Sequence, residues 1–120
     1  MTPELIGNEA MAYYHAGNQS KAMDTFSQLI DPENLTLQIP LSGKARVEML
    51  NLMTLSTLKQ PKKNLDQVLT LWEAGLSGAQ ALQSNQRFNE SSSIYDAIEA
   101  VWPNEPRVKE RRKQLVHWAK

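Results

Sequence analysis

Two stretches of the chain share one pattern of small, large apolar and turn positions. In the first stretch these positions are Ala10, Tyr13, Gly17, Ala22, Phe26 and Leu29. In the second they are Ala79, Leu82, Gln86, Ser91, Tyr95 and Ile98, each 69 positions later. That interval is close to two periods of about 34 residues. A repeat of this size predicts stacked helical hairpins, each of which buries its apolar face against its neighbours.

The first hairpin is delimited by clear start and stop signals. Residues 2–4 (Thr-Pro-Glu) place a hydroxyl at the cap, proline at the first helical position and an acid in the first turn. Apolar positions then follow a 3.6-residue period as far as Gly17-Asn18, where the helix is expected to end. Residues 19–30 continue with a second apolar stripe, which Asp31-Pro32 ends. The short loop predicts an antiparallel pair of helices.

The middle of the chain has a different pattern. Residues 31–42 contain two prolines and alternating apolar residues, which indicate an extended connector. No second run of this kind occurs elsewhere to pair with it, so no strand is predicted there. Ser42 is expected to cap a long helix that stops before Pro61. Apolar residues occur on nearly every side of this helix, which is typical of a central buried helix.

The next segment contains two glycines. A helix is expected to begin near Asn64, and Gly75 and Gly78 predict either a break or a tight helix crossing. If the helix breaks there, a further one runs over 79–86.

The last helices are delimited by prolines. One is predicted from about Asn89 to Pro103, and Glu105-Pro106 opens the terminal one. In total the pattern predicts seven helices, arranged as three hairpins and a C-terminal capping helix. The chain, residues 1–120, is long enough for one all-α domain.

The hairpin signature resembles that of tetratricopeptide repeats. The residues that carry the resemblance in the first hairpin are Ala10, Tyr13, Gly17, Ala22 and Phe26. In the third they are Ala79, Leu82, Phe88, Tyr95 and Pro103. The middle hairpin departs from the pattern. The resemblance implies a right-handed α-solenoid, and the layout is also similar to the helical output modules of some bacterial response regulators.

The resemblance further implies a concave groove lined by the first helix of each hairpin. Carried over position by position, the partner-binding residues are Met11, Tyr14, His15, Gln80 and Gln83. Asn51 and Thr54 are added from the less regular middle helix, where the pattern gives no direct match. Tyr14 offers apolar area and a hydroxyl, and the amides can bond to peptide backbone. We therefore expect a protein-interaction adaptor that holds an extended or helical peptide of a partner protein, and the resemblance to response-regulator output modules implies a role in signalling.

Composition argues against catalysis. The chain has no cysteine, and its two histidines, His15 and His117, are far apart in sequence, so neither a metal site nor a cofactor is predicted. Residues 91–93 (Ser-Ser-Ser) have no nearby histidine that could act as their base and are expected to lie on a helix surface. We expect a non-enzymatic protein. The absence of cysteine, of an apolar run of about 20 residues and of a signal-peptide pattern favours a cytoplasmic location.

The terminal helix leaves two alternatives open. Residues 105–120 hold six basic side chains against two acidic ones, although the net charge of the whole chain is zero. This cluster permits a nucleic-acid-binding helical domain, but its charges occupy several faces of the helix, which does not favour a nucleic-acid partner. A structural dimerisation domain is the other alternative, and the sequence leaves monomer or homodimer open.

Overall fold

Six α-helices form most of the chain in a computed structural model, which describes residues 3–31, 36–37 and 43–119. In chain order they are α1 (Pro3–His15), α2 (Gln19–Phe26), α3 (Gly43–Leu58), α4 (Leu65–Leu82), α5 (Asn85–Val101) and α6 (Pro106–Ala119). A 3₁₀ turn, Ser27–Leu29, extends α2. The all-helical class predicted from the hydrophobic period is confirmed.

The connector differs from the expectation at one point. Two short strands, β1 (Ile30–Asp31) and β2 (Thr36–Leu37), pair antiparallel, with Ile30 opposite Leu37. The expectation of no strand in 31–42 is therefore wrong for this two-residue ladder, in which Thr36–Leu37 pairs with Ile30–Asp31 at the start of the connector and needs no distant partner run. The predicted cap Ser42 lies outside the described residues.

Helix α4 is continuous, so the prediction of seven helices is corrected to six. Of the two outcomes predicted for Gly75 and Gly78, the tight crossing is the observed one. A Cβ added at Gly75 would lie 2.6 Å from Oδ1 of Asn51, and one added at Gly78 would lie 2.6 Å from Cγ2 of Val47. These contacts show that α3 and α4 run antiparallel with their backbones close together. The glycines are tolerated inside the helix because they allow this approach.

The α4–α5 turn lies earlier than predicted. Gln83 ends α4 in the left-handed conformation at φ 53°, and the Ser84 side chain caps α5 by accepting from the Arg87 N–H at 3.2 Å. In the first hairpin the equivalent left-handed residue is Gly17 at φ 83°. Gly17 and Gln83 are thus three positions closer together in the sequence than corresponding residues of the repeated pattern, which are 69 positions apart. Because three residues are nearly one helical turn, the same faces stay buried despite the shift.

Burial agrees with the repeated apolar signature. Phe26 is fully buried and Tyr95 is 2% exposed, so the predicted burial of both aromatic rings is confirmed. Phe26 lies on α2 and Tyr95 on α5, each on the helix that follows a left-handed turn residue.

Two apolar clusters form the core. The N-terminal core contains Ala10, Ala22, Phe26, Met49, Leu50, Met53 and Leu71. The C-terminal core contains Leu58, Val68, Leu69, Trp72, Leu76, Ile94, Tyr95, Ile98 and Val108. Helices α3 and α4 supply residues to both, which confirms the prediction that α3 is the central buried helix.

Helix α1 packs beside α3 in the same direction. Gly7, near the start of α1, faces Met49, and Tyr14, near its end, contacts Lys59 just after α3. The order of contacts shows that α1 and α3 are parallel, with α2 packed against both.

We expect Gly78→Ala to lower the free energy of unfolding by about 1–3 kcal/mol, because the new methyl group would overlap the stiff, buried Val47 side chain. Helix propensity alone predicts a gain of about 1 kcal/mol, so the sign of the change is diagnostic. The exposed Ser77→Ala on the same helix is the control and should be neutral or slightly stabilising. Urea unfolding measures both; an increase in stability for Gly78→Ala would contradict the close crossing.

We expect substitutions at the two left-handed turn residues to change the free energy of unfolding in opposite directions. Gln83→Gly should raise the free energy of unfolding by about 0.5–1 kcal/mol, because glycine adopts φ 53° without the steric cost of a Cβ. Gly17→Ala should lower it by about 1 kcal/mol for the converse reason. Both sites are exposed, so packing contributes little. Thermal unfolding of the two variants checks the turn assignment. A change in stability in the same direction for both variants would contradict it.

Candidate functional site

An open cleft of about 810 Å³ lies between α3 and α5. From α3 it is lined by Glu48, Asn51, Leu52 and Leu55, and from α5 by Gln86, Arg87, Asn89, Glu90, Ser93 and Ile94. On each helix these residues recur at three- and four-residue spacing, so one face of each helix forms a wall. The lined length of each wall is about 10–12 Å, from a rise of about 1.5 Å per residue.

The two walls run parallel. Glu48 pairs with Arg87 and Asn51 bonds to Glu90, so contacts advance together along α3 and α5. Helix α4 packs behind both, and the indole N–H of Trp72 donates to the Ser91 carbonyl oxygen at 2.9 Å.

The cleft has an apolar base and a polar upper edge. Ile94 is 4% exposed, and Leu52 and Leu55 are half-buried. By contrast Gln86, Asn89 and Ser93, which follow one another along the cleft-facing side of α5, are exposed. The cleft therefore combines apolar surface at depth with uncharged donors and acceptors at the rim, as ligand sites commonly do.

A charged network crosses one end of the cleft. Nη1 of Arg87 contacts Oε1 and Oε2 of Glu90 at 2.7 and 2.9 Å, and Nη2 lies 3.7 Å from Glu48. The Asn51 amide Nδ2 also donates to Glu90, at 3.1 Å. These four side chains join the walls and fix their spacing.

Asn51 is the one sequence-predicted site residue that lines this cleft. It is 4% exposed, and its Oδ1 is buried against Gly75 without a hydrogen-bond partner among the described residues. Its role in the structure is to connect α3 with both α4 and α5. Only the edge of its amide reaches the cleft.

The predicted residues of α1 lie elsewhere. Met11 packs against the N-terminal core. Tyr14 lies beneath the ammonium group of Lys59, which is 4.7 Å from the ring centroid and donates to the tyrosine hydroxyl at 3.4 Å. His15 is exposed, with its ring edge-on to Tyr14 at 5.5 Å. These side chains form a separate patch beside the end of α3.

Three further predicted residues do not line the cleft. Thr54 is fully buried, and its hydroxyl donates to the Leu50 carbonyl at 2.8 Å, so its side chain is not available to a partner. Gln80 and Gln83 lie at the end of α4, because α4 is one continuous helix and no separate helix begins near Ala79. The α5 residues of the cleft were missed because Gln86 was expected at the turn and the helix from Asn89 was not expected to line the groove, although Gln86, Asn89 and Ser93 already show helical spacing in the sequence.

The basic residues of α6 form ion pairs across helices. The pairs are Arg107 with Asp66, Arg111 with Glu73 and Arg112 with Glu99. The first two advance together along α4 and α6, which makes these helices parallel. Each of three arginines in the basic cluster is thus paired with a carboxylate of a neighbouring helix.

The apolar side of α6 closes the C-terminal core as expected. Val108 is fully buried and Leu115 packs against the cluster, whereas the Trp118 side chain lies outside the described part of the structure. The Tyr95 hydroxyl donates to the Val108 carbonyl at 2.8 Å. Burial is the main cause that raises the pKa of Tyr95 above its usual range, and Glu99 adds to it.

Ser91 corrects one expectation about 91–93. Its side chain is fully buried against the rest of the fold, although Ser93 is exposed as predicted.

Comparison with models of protein families, with curated proteins and with solved structures finds no match for this chain. Within 3–31, 36–37 and 43–119, no three His, Asp or Glu side chains converge as a metal-ion site would require. None of the helices described has the length and apolar character needed to span a membrane.

We expect Tyr95→Phe to lower the free energy of unfolding at neutral pH by about 1 kcal/mol, since it removes the bond that joins α5 to α6. Because the folded-state pKa of Tyr95 is raised, wild-type stability is retained below the unfolded value of about 10 and declines as pH rises above it. The difference in free energy of unfolding between wild type and Tyr95→Phe should therefore become smaller above about pH 10.

Denaturant unfolding across this pH range tests the expectation. Tyr13→Phe is the control, since Tyr13 is half-buried and its ring faces Lys21. A pH-independent difference between wild type and Tyr95→Phe would contradict the role of the neutral hydroxyl.

Proposed function

We propose that this chain is a non-enzymatic, tetratricopeptide-like interaction module that binds a peptide of a partner protein in the cleft between α3 and α5. The single observation that carries the proposal is the cleft itself, with its apolar base and its row of exposed amide and hydroxyl groups. Such a surface matches the alternating apolar side chains and polar backbone of a peptide.

The directions of the helices support the repeat architecture. Helices α1, α3 and α5 run parallel, as α4 and α6 do, while α3 and α4 are antiparallel. This is the order expected for three stacked hairpins, α1–α2, α3–α4 and α5–α6. On this proposal α6 is the second helix of the third hairpin and not the additional capping helix expected from the sequence. Ala79 and Leu82, expected in the third hairpin, then lie on α4 of the second. The stack has the right-handed course of the family it resembles.

An extended peptide suits the cleft better than a helix. A bound helix would satisfy its own backbone and would leave the side chains of Gln86, Asn89 and Ser93 unused. An extended chain exposes backbone N–H and C=O groups about every 7 Å along one edge. Gln86 and Ser93 are about 10 Å apart along α5, so the row spans three to four extended residues.

The wider role proposed for the module is that of an adaptor, and its layout is compatible with a signalling output domain. Dimerisation is the rival proposal, for which a dilution series in light scattering is the direct measurement.

Filling the cleft should abolish peptide binding. Random peptides of about twelve residues, longer than the cleft, can be displayed on phage and selected on the immobilised chain. Peptides enriched on wild type should lose affinity at least tenfold for Ser93→Trp, because the indole would occupy the space above Ile94. The exposed Ser77→Trp on α4, outside the cleft, is the matched control and should bind as wild type does.

Far-UV circular dichroism must show the same helix content for both tryptophan variants. The absence of any enriched peptide, or equal binding by Ser93→Trp, would overturn the proposed function.

A further inference from the structure

The charges at the end of the cleft are unequally compensated. Arg87 uses Nη1 on both oxygens of Glu90, which also accepts from Asn51. Glu48 has one ion pair among the described residues, a contact of 3.7 Å to Nη2 of the same arginine. One guanidinium therefore pairs with two carboxylates, and its contact with Glu48 is the longer and weaker of the two.

Exposure accentuates this imbalance. The Arg87 side chain is 15% exposed, whereas those of Glu48 and Glu90 are 45% and 36% exposed. A ligand that approaches the cleft meets the carboxylates before it meets the guanidinium. Two of the three charged side chains that line the cleft are acidic and one is basic, so their net charge of −1 is complementary to a cation.

We propose that the cleft selects peptides that carry a lysine or arginine side chain on Glu48, next to apolar side chains on Leu52, Leu55 and Ile94. This inference rests on the proposed function and adds the chemical class of the partner. The occupant is a basic, apolar segment in extended conformation.

The spacing along α3 sets the pattern of the peptide. Leu52 and Leu55 lie about 6 and 10 Å beyond Glu48 along the helix axis. In an extended chain, side chains on one side recur about every 7 Å. In the peptide, the basic residue should therefore be two positions from the apolar residue that contacts Leu52. A second apolar residue, which contacts Leu55, should follow within the next two positions.

An acidic peptide does not suit this end. Nη1 of Arg87 already contacts both oxygens of Glu90 at 2.7 and 2.9 Å, so an anion would have to approach Nη2, which lies 3.7 Å from the exposed carboxylate of Glu48. The acidic peptide would then meet the like charge of Glu48, which is unfavourable.

The peptides enriched on the wild-type chain test the proposal directly. We expect a consensus with a basic residue two positions from an apolar one. In fluorescence anisotropy, Glu48→Gln should weaken binding of a consensus peptide by about two- to fivefold, as expected for one partly exposed ion pair. The exposed Glu110→Gln on α6 is the matched control and should leave the affinity unchanged.

A charge swap tests whether the charge of Glu48 itself selects the basic residue of the peptide. Glu48→Lys should weaken the basic peptide further and should improve binding of the same peptide with its basic residue changed to glutamate. Binding of the basic peptide to wild type should also weaken as salt is added.

The outcomes separate the inference from the proposed function. Enriched peptides that lose affinity for Ser93→Trp but show no basic residue, or that respond equally to Glu48→Gln and Glu110→Gln, would overturn the inference and leave the function standing. Failure to enrich any peptide sensitive to Ser93→Trp would overturn both.

Discussion

The close antiparallel contact of α3 with α4 is the constraint on which the rest of the fold depends. Gly75 and Gly78 bring the α4 backbone against the side chains of Asn51 and Val47. Because these two helices supply residues to both apolar clusters, their separation sets the geometry of the N-terminal and C-terminal cores together. In a densely packed interior, one added methyl at this contact has no room to be absorbed locally.

The same contact extends to the cleft through Asn51. The space left by the missing Cβ of Gly75 receives Oδ1, which turns Nδ2 towards Glu90 on α5. Glu90 in turn holds Arg87, which faces Glu48 across the cleft. A buried amide thus links the helix crossing of the core to the spacing of the two cleft walls, and the polar rim is positioned by the core beneath it.

The terminal helix is held in a different way. Val108 is its fully buried side chain in the described part of the structure, and arginine–carboxylate pairs connect it to α4 and α5. Exposed pairs of this kind add little stability individually, so the Tyr95–Val108 hydrogen bond and the apolar contacts of Val108 and Leu115 contribute most to the docking. What reads in sequence as a basic cluster is, in large part, the means by which α6 aligns with its neighbours.

The sequence by itself determined the helical class, both ends of α1 and the start of α6 near proline and glycine signals, the central position of α3 and the burial of Phe26 and Tyr95. These follow from hydrophobic period and capping chemistry, which act over a few residues.

Tertiary structure decided the α4–α5 turn, since Gln83 takes a left-handed conformation that its residue type does not signal. It decided the continuity of α4 as well, because only the packing of Asn51 and Val47 explains its glycines. The cleft followed from the same packing, because α4 crosses α3 in the opposite direction and α5 returns parallel to α3. Its second wall is therefore the α5 face with Gln86, Arg87 and Glu90, and not the end of α4 with Gln80 and Gln83. A site formed between helices depends on which faces meet, and that is fixed by long-range packing rather than by local pattern.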